Sequence, residues 1–391
     1  MKRIIVCCDG TWSKPGTKDR GQLVETNVEK LYKAVNTENP GIEQIKYYGQ
    51  GVGTGFTITD RLLGGSFGLG IDSSIQDAYK FLMWSYEPGD ELYLFGFSRG
   101  AYTVRSLVGL IRNCGIMKPE FLHLVNEAYH LYRDRTELTH PESDLMKAFK
   151  KSYGKEDETT IKFLGVWDTV GSLGVPLSSF SGWNRKYRFH DVKLGGQIKY
   201  AYHALAIDER RKFFQPTLWE VSQAAMERPD PQVSEQVWFP GTHCNVGGGY
   251  VDSGLSNVAL QWMVEKANAT GLEFDKNYIE KLECNSKGEI RNSATGIFRF
   301  TPKVLRTINN VIIHRKEDAK GKMTEGARIR NEKIHYTCLE RSHFIKNYRP
   351  KNLHLALEHD PEFDPLKDKW QPEWKQFLEG FIPSKKNSNN T

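Results

Sequence analysis

The sequence predicts an α/β fold: a mostly parallel sheet with helices on both faces. Three observations point there. Strand-like and helix-like segments alternate from Arg3 to about Gly115. The strand candidates are continuous apolar runs, the pattern of strands buried on both faces. One of them climbs into a glycine-flanked turn that opens directly into a helix.

The elements follow in order. "RIIVCC" (3–8) reads as the first strand, ended by "DGTW". "TNVEKLYKAV" has apolar residues at helical spacing, with Thr26 or Asn27 as N-cap. "IEQIKYYGQGV" is the next strand, and the glycine-rich stretch from Gly49 to Gly70 reads as a surface loop. "SSIQDAYKFLMWSY" is amphipathic, with Ile75, Ala78, Tyr79, Leu82 and Met83 on one face. "ELYLFGF" is a strand, and "AYTVRSLVGLIRNCG" a helix closed by Gly115. Residues 119–158 are charged and helical in tone and read as an inserted helical cap. "TIKFLGVWDTVGS" is a further strand ending at Asp168. "YAYHALAIDERRKFF" fits strand or helix equally. "EQVWFPGTHCNVGGGY" is a strand running into a turn that holds His243, and "NVALQWMVEKANATG" is a helix ended by Gly271. A catalytic domain over 1–275 is expected, with 276–391 as a C-terminal extension packed on it and a disordered tail.

Composition narrows the classes. Apolar residues make up 39% of 391 and charged residues 26%, which allows a sizeable core and argues against wholesale disorder. A net charge of +6 over this length is no nucleic-acid signature, though it suits an anionic lipid or phosphate. The six cysteines form no CxxC pair and no zinc spacing, so reduced thiols of an intracellular protein are expected, with no metal. The apolar run of "MKRIIVCCDG" breaks at Asp9, too soon for a signal-peptide core, and no segment approaches a membrane span. A cytoplasmic protein is expected; export by a signal-independent machine would leave no trace.

The chemistry starts at Gly96-Phe97-Ser98-Arg99-Gly100, a G-x-S-x-G match between strand and helix. That context presents a serine on a tight turn, with the helix's amino end facing developing negative charge. A serine hydroxyl needs a base, and the base needs an orienting acid. In α/β-hydrolases the acid and then the base follow the serine along the chain. His243 is the best-placed base, after "QVWFP" and among glycines. His123 and His130 lie in the charged insertion, His203 in the undecided element, and His314 and His335 in the C-terminal part. Asp168, at a strand's carboxyl end, is favoured as acid over Asp208, beside arginines, and Asp252. The oxyanion donors are expected to be the backbone N–H groups of Arg99 and Thr11. Asp9, Gly10 and Phe97 are expected beside the substrate, with Asp9 anchoring its loop through hydrogen bonds. Cys7 stands where a haloacid-dehalogenase-type phosphatase would need its nucleophilic aspartate, which excludes that chemistry.

A set of stretches in fixed order carries a family resemblance: "CDGTW", "TNV", "YYGQGVGT", "YEPGDELYLFGFSRGAYTVRSLVGLI", "FLGVWDTVGS", "ALAIDERR" and "WFPGTHCNVGGGY". Over roughly residues 3–265 the chain resembles the α/β-hydrolase family that contains the first group of type VI secretion phospholipase effectors. The resemblance implies a Ser-Asp-His hydrolase with the nucleophile on Ser98, the acid on Asp168 and the base on His243. In the family's secreted members it implies a phospholipid cleaved at an acyl ester.

The expected function is therefore a cofactor-free serine hydrolase of a carboxylic ester, lipid-like in character. The aromatic, basic stretch Phe180 to Phe189 and the positive charge favour a lipid and peripheral membrane contact. Alternatives are an esterase or thioesterase on a small soluble substrate, and a non-catalytic membrane- or partner-binding module on the same scaffold.

Overall fold

The computed structural model describes residues 1–10, 13–38, 41–51, 65–134, 136–170, 194–220, 231–308, 315–317, 323–325 and 332–359. Seven strands form one sheet: β1 (Arg3–Cys8), β2 (Gln44–Gly49), β3 (Glu91–Phe97), β4 (Ile161–Trp167), β5 (Ile198–Ala206), β6 (Val233–Phe239) and β7 (Glu332–Ile334). Their order across the sheet is β7-β6-β5-β4-β3-β1-β2, and every pairing is parallel. The order reverses between β1 and β3, so the two chains leaving their carboxyl ends diverge and open a crevice there.

The continuous apolar runs divide between the two faces with a period of two. Ile4, Val6, Leu92, Leu94, Leu164 and Val166 enter one core; Ile5, Cys7, Tyr93, Phe95, Phe163 and Trp167 enter the other. The first core is covered by α2 (Gly65–Ser85) and α3 (Arg99–Cys114), the second by α1 (Asn27–Ala34) and α7 (Gly254–Ala269). Helices on both faces of a parallel sheet are the arrangement read from the sequence.

Several local readings can be placed. The undecided stretch around His203 is strand β5. Its three alanines would suit a helix, but pairing on both sides, with β4 and β6, fixes it as interior sheet. The inserted segment holds α4 (Val125–Asp134) and α5 (Asp144–Tyr153). It leaves the end of α3 and packs laterally on α2 and α3 through Val125, Ala128, Tyr129 and Met146. Beyond residue 275 the chain supplies β7, then α8 (Tyr336–Phe344) and α9 (Lys351–His359), which close a third apolar cluster over Leu205, Ile207 and Trp238. The sheet thus draws on both sides of the boundary expected at 275, because β6 would otherwise expose its outer edge. The aromatic, basic stretch 180–189, most of the glycine-rich loop and the tail lie outside the described residues.

Candidate active site

Ser98 follows β3 directly and sits at φ 56°, ψ −116°, a left-handed conformation that a non-glycine residue adopts only under constraint. Its N–H donates to the Trp167 carbonyl at 3.0 Å, which pins the turn to β4. The flanking glycines have a steric reason. A Cβ on Gly96 would stand 2.5 Å from the Gly100 carbonyl oxygen, and one on Gly100 would stand 2.0 Å from the Cys8 carbonyl oxygen. Gly96 lets helix α3 turn back close to β3, and Gly100 lets it start close to β1.

His243 opens a one-turn helix, α6 (His243–Gly247), separated from the end of β6 by three residues. Thr242 caps that turn and Asn245 bonds back to it, completing a capping box. Asp168 ends β4 at φ 39° and is fully buried. The three side chains meet although 75 and 145 residues separate them pairwise along the chain. His243 Nε2 lies 2.8 Å from Ser98 Oγ, and His243 Nδ1 lies 2.5 Å from Asp168 Oδ2. With the carboxylate facing Nδ1, the imidazole proton belongs on Nδ1, so Nε2 accepts from the serine hydroxyl.

The electrostatics favour that tautomer. Burial pulls the His243 imidazole below its ordinary 6.5, opposed by its hydrogen bond and attraction to Asp168. Burial alone would raise Asp168, but the Arg306 guanidinium and His243 hold it well below the usual carboxylate range. The Asp168 oxygens are saturated: Oδ1 accepts from the Ala206 N–H at 3.0 Å and Arg306 Nη1 at 2.6 Å, and Oδ2 accepts from His243 and from Arg306 Nη2 at 3.0 Å. Arg306 escaped the sequence reading. Its one signal is a basic residue inside the apolar run "KVLRTI", in a segment read as peripheral.

The loop after β1 forms the other wall. Asp9 is buried, and its carboxylate accepts from the Gly10 N–H, the Thr26 hydroxyl and the Tyr48 hydroxyl, each at 2.6 Å. Burial pushes its pKa up to about 6. These three bonds make Asp9 the anchor of its loop. The Phe97 ring is buried against His243, 4.7 Å between centroids, and fills the space beside Gly10 and Gly247. Gly10 does approach the serine; a Cβ there would lie 3.4 Å from Ser98 Cβ. Thr11 lies outside the described residues. Arg99 is the first residue of α3, which places its backbone N–H at the helix's amino end.

The "TNV" stretch ties these walls together. Thr26 caps α1 and bonds Asp9, while Asn27 Nδ2 donates to the Val246 and Ser256 carbonyls at 2.8 Å each. The rejected candidates also have places. Asp208 accepts from the Gly241 N–H and the Tyr348 hydroxyl, Asp252 holds the Gly254 and Glu289 N–H groups, and neither reaches His243. Glu209, overlooked in the sequence, pairs with Arg211 through both oxygens and accepts from the His243 N–H at 3.3 Å. His203 is buried, and desolvation lowers its pKa to about 3; its Nε2 accepts from the Thr169 N–H at 3.2 Å. A cavity of about 450 Å³ lined by Ile111, Thr159, Gln197 and Gln232 lies at the amino ends of the strands, away from Ser98.

Beyond His243 the packing becomes aromatic. Phe214 packs edge-on against the His243 ring at 5.1 Å and against Phe298 at 5.6 Å. Phe300 is 88% exposed, and Val304 and Leu305 are exposed beyond it. Backbone bonds pair 210–212 with 302–304, which joins the basic Arg210, Lys212 and Lys303 to this segment.

A seven-stranded parallel sheet carrying a serine on a strained strand-to-helix turn, with histidine and aspartate in line, defines an α/β-hydrolase of the lipase and esterase type. The family described as "T6SS, Phospholipase effector Tle1-like, catalytic domain" matches residues 2–266, and the chain belongs to it. An uncharacterized protein of Saccharomyces cerevisiae, YEL023C, is 33% identical over 231 residues, covering 54% of this chain and 32% of the yeast protein. The chain thus spans about a third of that curated relative. A crystal structure of an uncharacterized Pseudomonas aeruginosa protein aligns with TM-score 0.45 and 18% identity, over 73% of this chain and 49% of that one. The Tle1 effector solved bound to the VgrG spike of the type 6 secretion system aligns with TM-score 0.36 and 19% identity, over 64% of this chain and 52% of that one. Among the described residues no helix is long and apolar enough to cross a membrane.

Proposed function

We propose that the protein hydrolyses a carboxylic ester of a lipid, with Ser98 as nucleophile, His243 as general base and Asp168 as the acid that orients it. The observation that carries this reading is the unbroken hydrogen-bonded line from Ser98 Oγ through His243 to Asp168 at the crevice between β1 and β3. Ser98 Oγ attacks the carbonyl carbon while its proton passes to His243 Nε2. The carbonyl oxygen, now an anion, is held by the Arg99 N–H at the amino end of α3, with Thr11 as the second donor. The tetrahedral intermediate collapses, the ester C–O bond breaks, and His243 returns the proton to the leaving alcohol. Water, deprotonated by His243 in its turn, then frees the acid from Ser98. Asp168 keeps its negative charge throughout and stabilises the imidazolium formed at each step.

A lipid substrate is supported by the family, and by the exposed apolar side chains Phe300, Val304 and Leu305 in a segment whose backbone pairs with that of Arg210 to Lys212 and which carries Lys303. Apolar side chains beside basic ones suit the surface of an anionic bilayer. The test is turnover of anionic phospholipid liposomes against short soluble esters. Release of fatty acid from liposomes by the protein, lost in Ser98→Ala, is expected. Turnover of the soluble esters alone would replace the lipid reading with that of a small-molecule esterase.

A further inference from the structure

We infer that Arg306 is a positioning residue of this site: it clamps Asp168 and so sets the ring of His243 against Ser98. The inference rests on the reading of Ser98 as nucleophile, and it extends the site past residue 266, where the family match ends.

The geometry is that of a fork on a fork. Nη1 and Nη2 each donate to a different oxygen of Asp168, at 2.6 and 3.0 Å. The remaining Nη hydrogens go to the Ala206 carbonyl at 2.7 Å and to the Phe214 carbonyl. Both side chains are fully buried. Ala206 ends β5, so the guanidinium is fixed to the sheet and fixes the carboxylate in turn. Two parallel bonds from one rigid group define the plane of a carboxylate more narrowly than the separate bonds from the Ala206 N–H and His243 would. The plane matters because Oδ2 must point at Nδ1. Phe214, whose carbonyl Arg306 also holds, packs edge-on against the same imidazole. One side chain from the C-terminal segment thus governs two of the surfaces that orient His243. The bland alternative is that Arg306 only neutralises a buried aspartate and has no bearing on the histidine.

The experiment measures the rate of Ser98 labelling by a fluorophosphonate probe in Arg306→Met, Arg306→Lys, Asp168→Asn and the Asp168→Asn/Arg306→Met double variant. The low-field proton resonance of His243 Nδ1–H is followed alongside. The double variant removes both buried charges together and so guards against misfolding of the single ones. Arg306→Met is expected to label about a hundredfold more slowly, the scale of loss when a reacting group is misplaced by about 1 Å. Arg306→Lys should recover part of the rate, because one donor to the carboxylate remains. In the Asp168→Asn background the second change should cost nothing more, since Arg306 acts through Asp168. The proton resonance should shift or broaden in Arg306→Met. Wild-type labelling and an unmoved resonance in Arg306→Met would overturn the inference, as would a full additional loss in the double variant. A folded wild type that never labels would overturn the nucleophile reading. The resonance would then still decide whether Arg306 orients His243.

Discussion

Gly100→Ala is the sharpest steric test of the serine turn. The added methyl would stand 2.0 Å from the Cys8 carbonyl oxygen and 2.5 Å from that of Asp9. Ordinary contact begins near 3.4 Å, so helix α3 and strand β1 must separate by about 1.4 Å. Neither partner yields cheaply: Cys8 ends a strand paired on both sides, and α3 is buried along most of its length. Overpacking against side chains costs about 1–3 kcal/mol, and this clash is with backbone, so a loss of at least about 3 kcal/mol is expected. At roughly 2 °C per kcal/mol for a large domain, the melting midpoint should fall by about 6 °C or more. The same displacement moves Ser98 and the Arg99 N–H together, and a shift beyond about 1 Å should slow fluorophosphonate labelling by about a hundredfold. Gly109→Ala is the control in the same helix, where the methyl meets the Tyr132 side chain and not backbone. It should melt closer to wild type and label normally. A Gly100→Ala protein that melts and labels like wild type would refute the steric account of the turn.

Asp168→Asn should lower turnover by about 10⁴-fold, because an amide facing His243 favours the tautomer that cannot take the serine proton. It should also destabilise the fold by about 3–5 kcal/mol by leaving Arg306 buried without its carboxylate; calorimetry and steady-state rates read both effects. The acid limb of kcat/KM should lie below pH 6.5, since burial lowers His243 from that value and only its neutral form accepts a proton; a limb above 6.5 would contradict this. Phe300→Asp should cut liposome hydrolysis by about tenfold or more while sparing a soluble ester, since inserting one aromatic side chain into a lipid surface contributes about 1.5–3 kcal/mol. Equal effects on both substrates would remove Phe300 from the lipid contact.

The sheet was legible because its strands are interior. Continuous apolar runs such as "RIIVCC" and "ELYLFGF" admit little but a strand covered on both faces, and the glycines around Ser98 mark a turn with no room for Cβ atoms. Ser98, Asp168 and His243 could be nominated singly because each lies just past a strand's carboxyl end at the same edge of a parallel sheet, Ser98 and Asp168 directly and His243 after a three-residue turn. Strand β5 could not be assigned, since its alanines take their conformation from the two neighbours they pair with. The directions of the Asp9 and Phe97 side chains were not legible for a related reason. They are set by tertiary partners, which turn the carboxylate toward Thr26 and Tyr48 and the ring toward His243. Arg306 and Glu209 act through contacts of long sequence separation, with no local pattern to betray them.

The account stands most directly on one measurement: incubation of the folded protein with a fluorophosphonate, followed by peptide mapping of the adduct. Labelling confined to Ser98, abolished in Ser98→Ala and slowed about 10⁴-fold or more in His243→Ala, is the predicted result. A folded protein that stays unlabelled, or labels at another serine at an unchanged rate in Ser98→Ala, would contradict it.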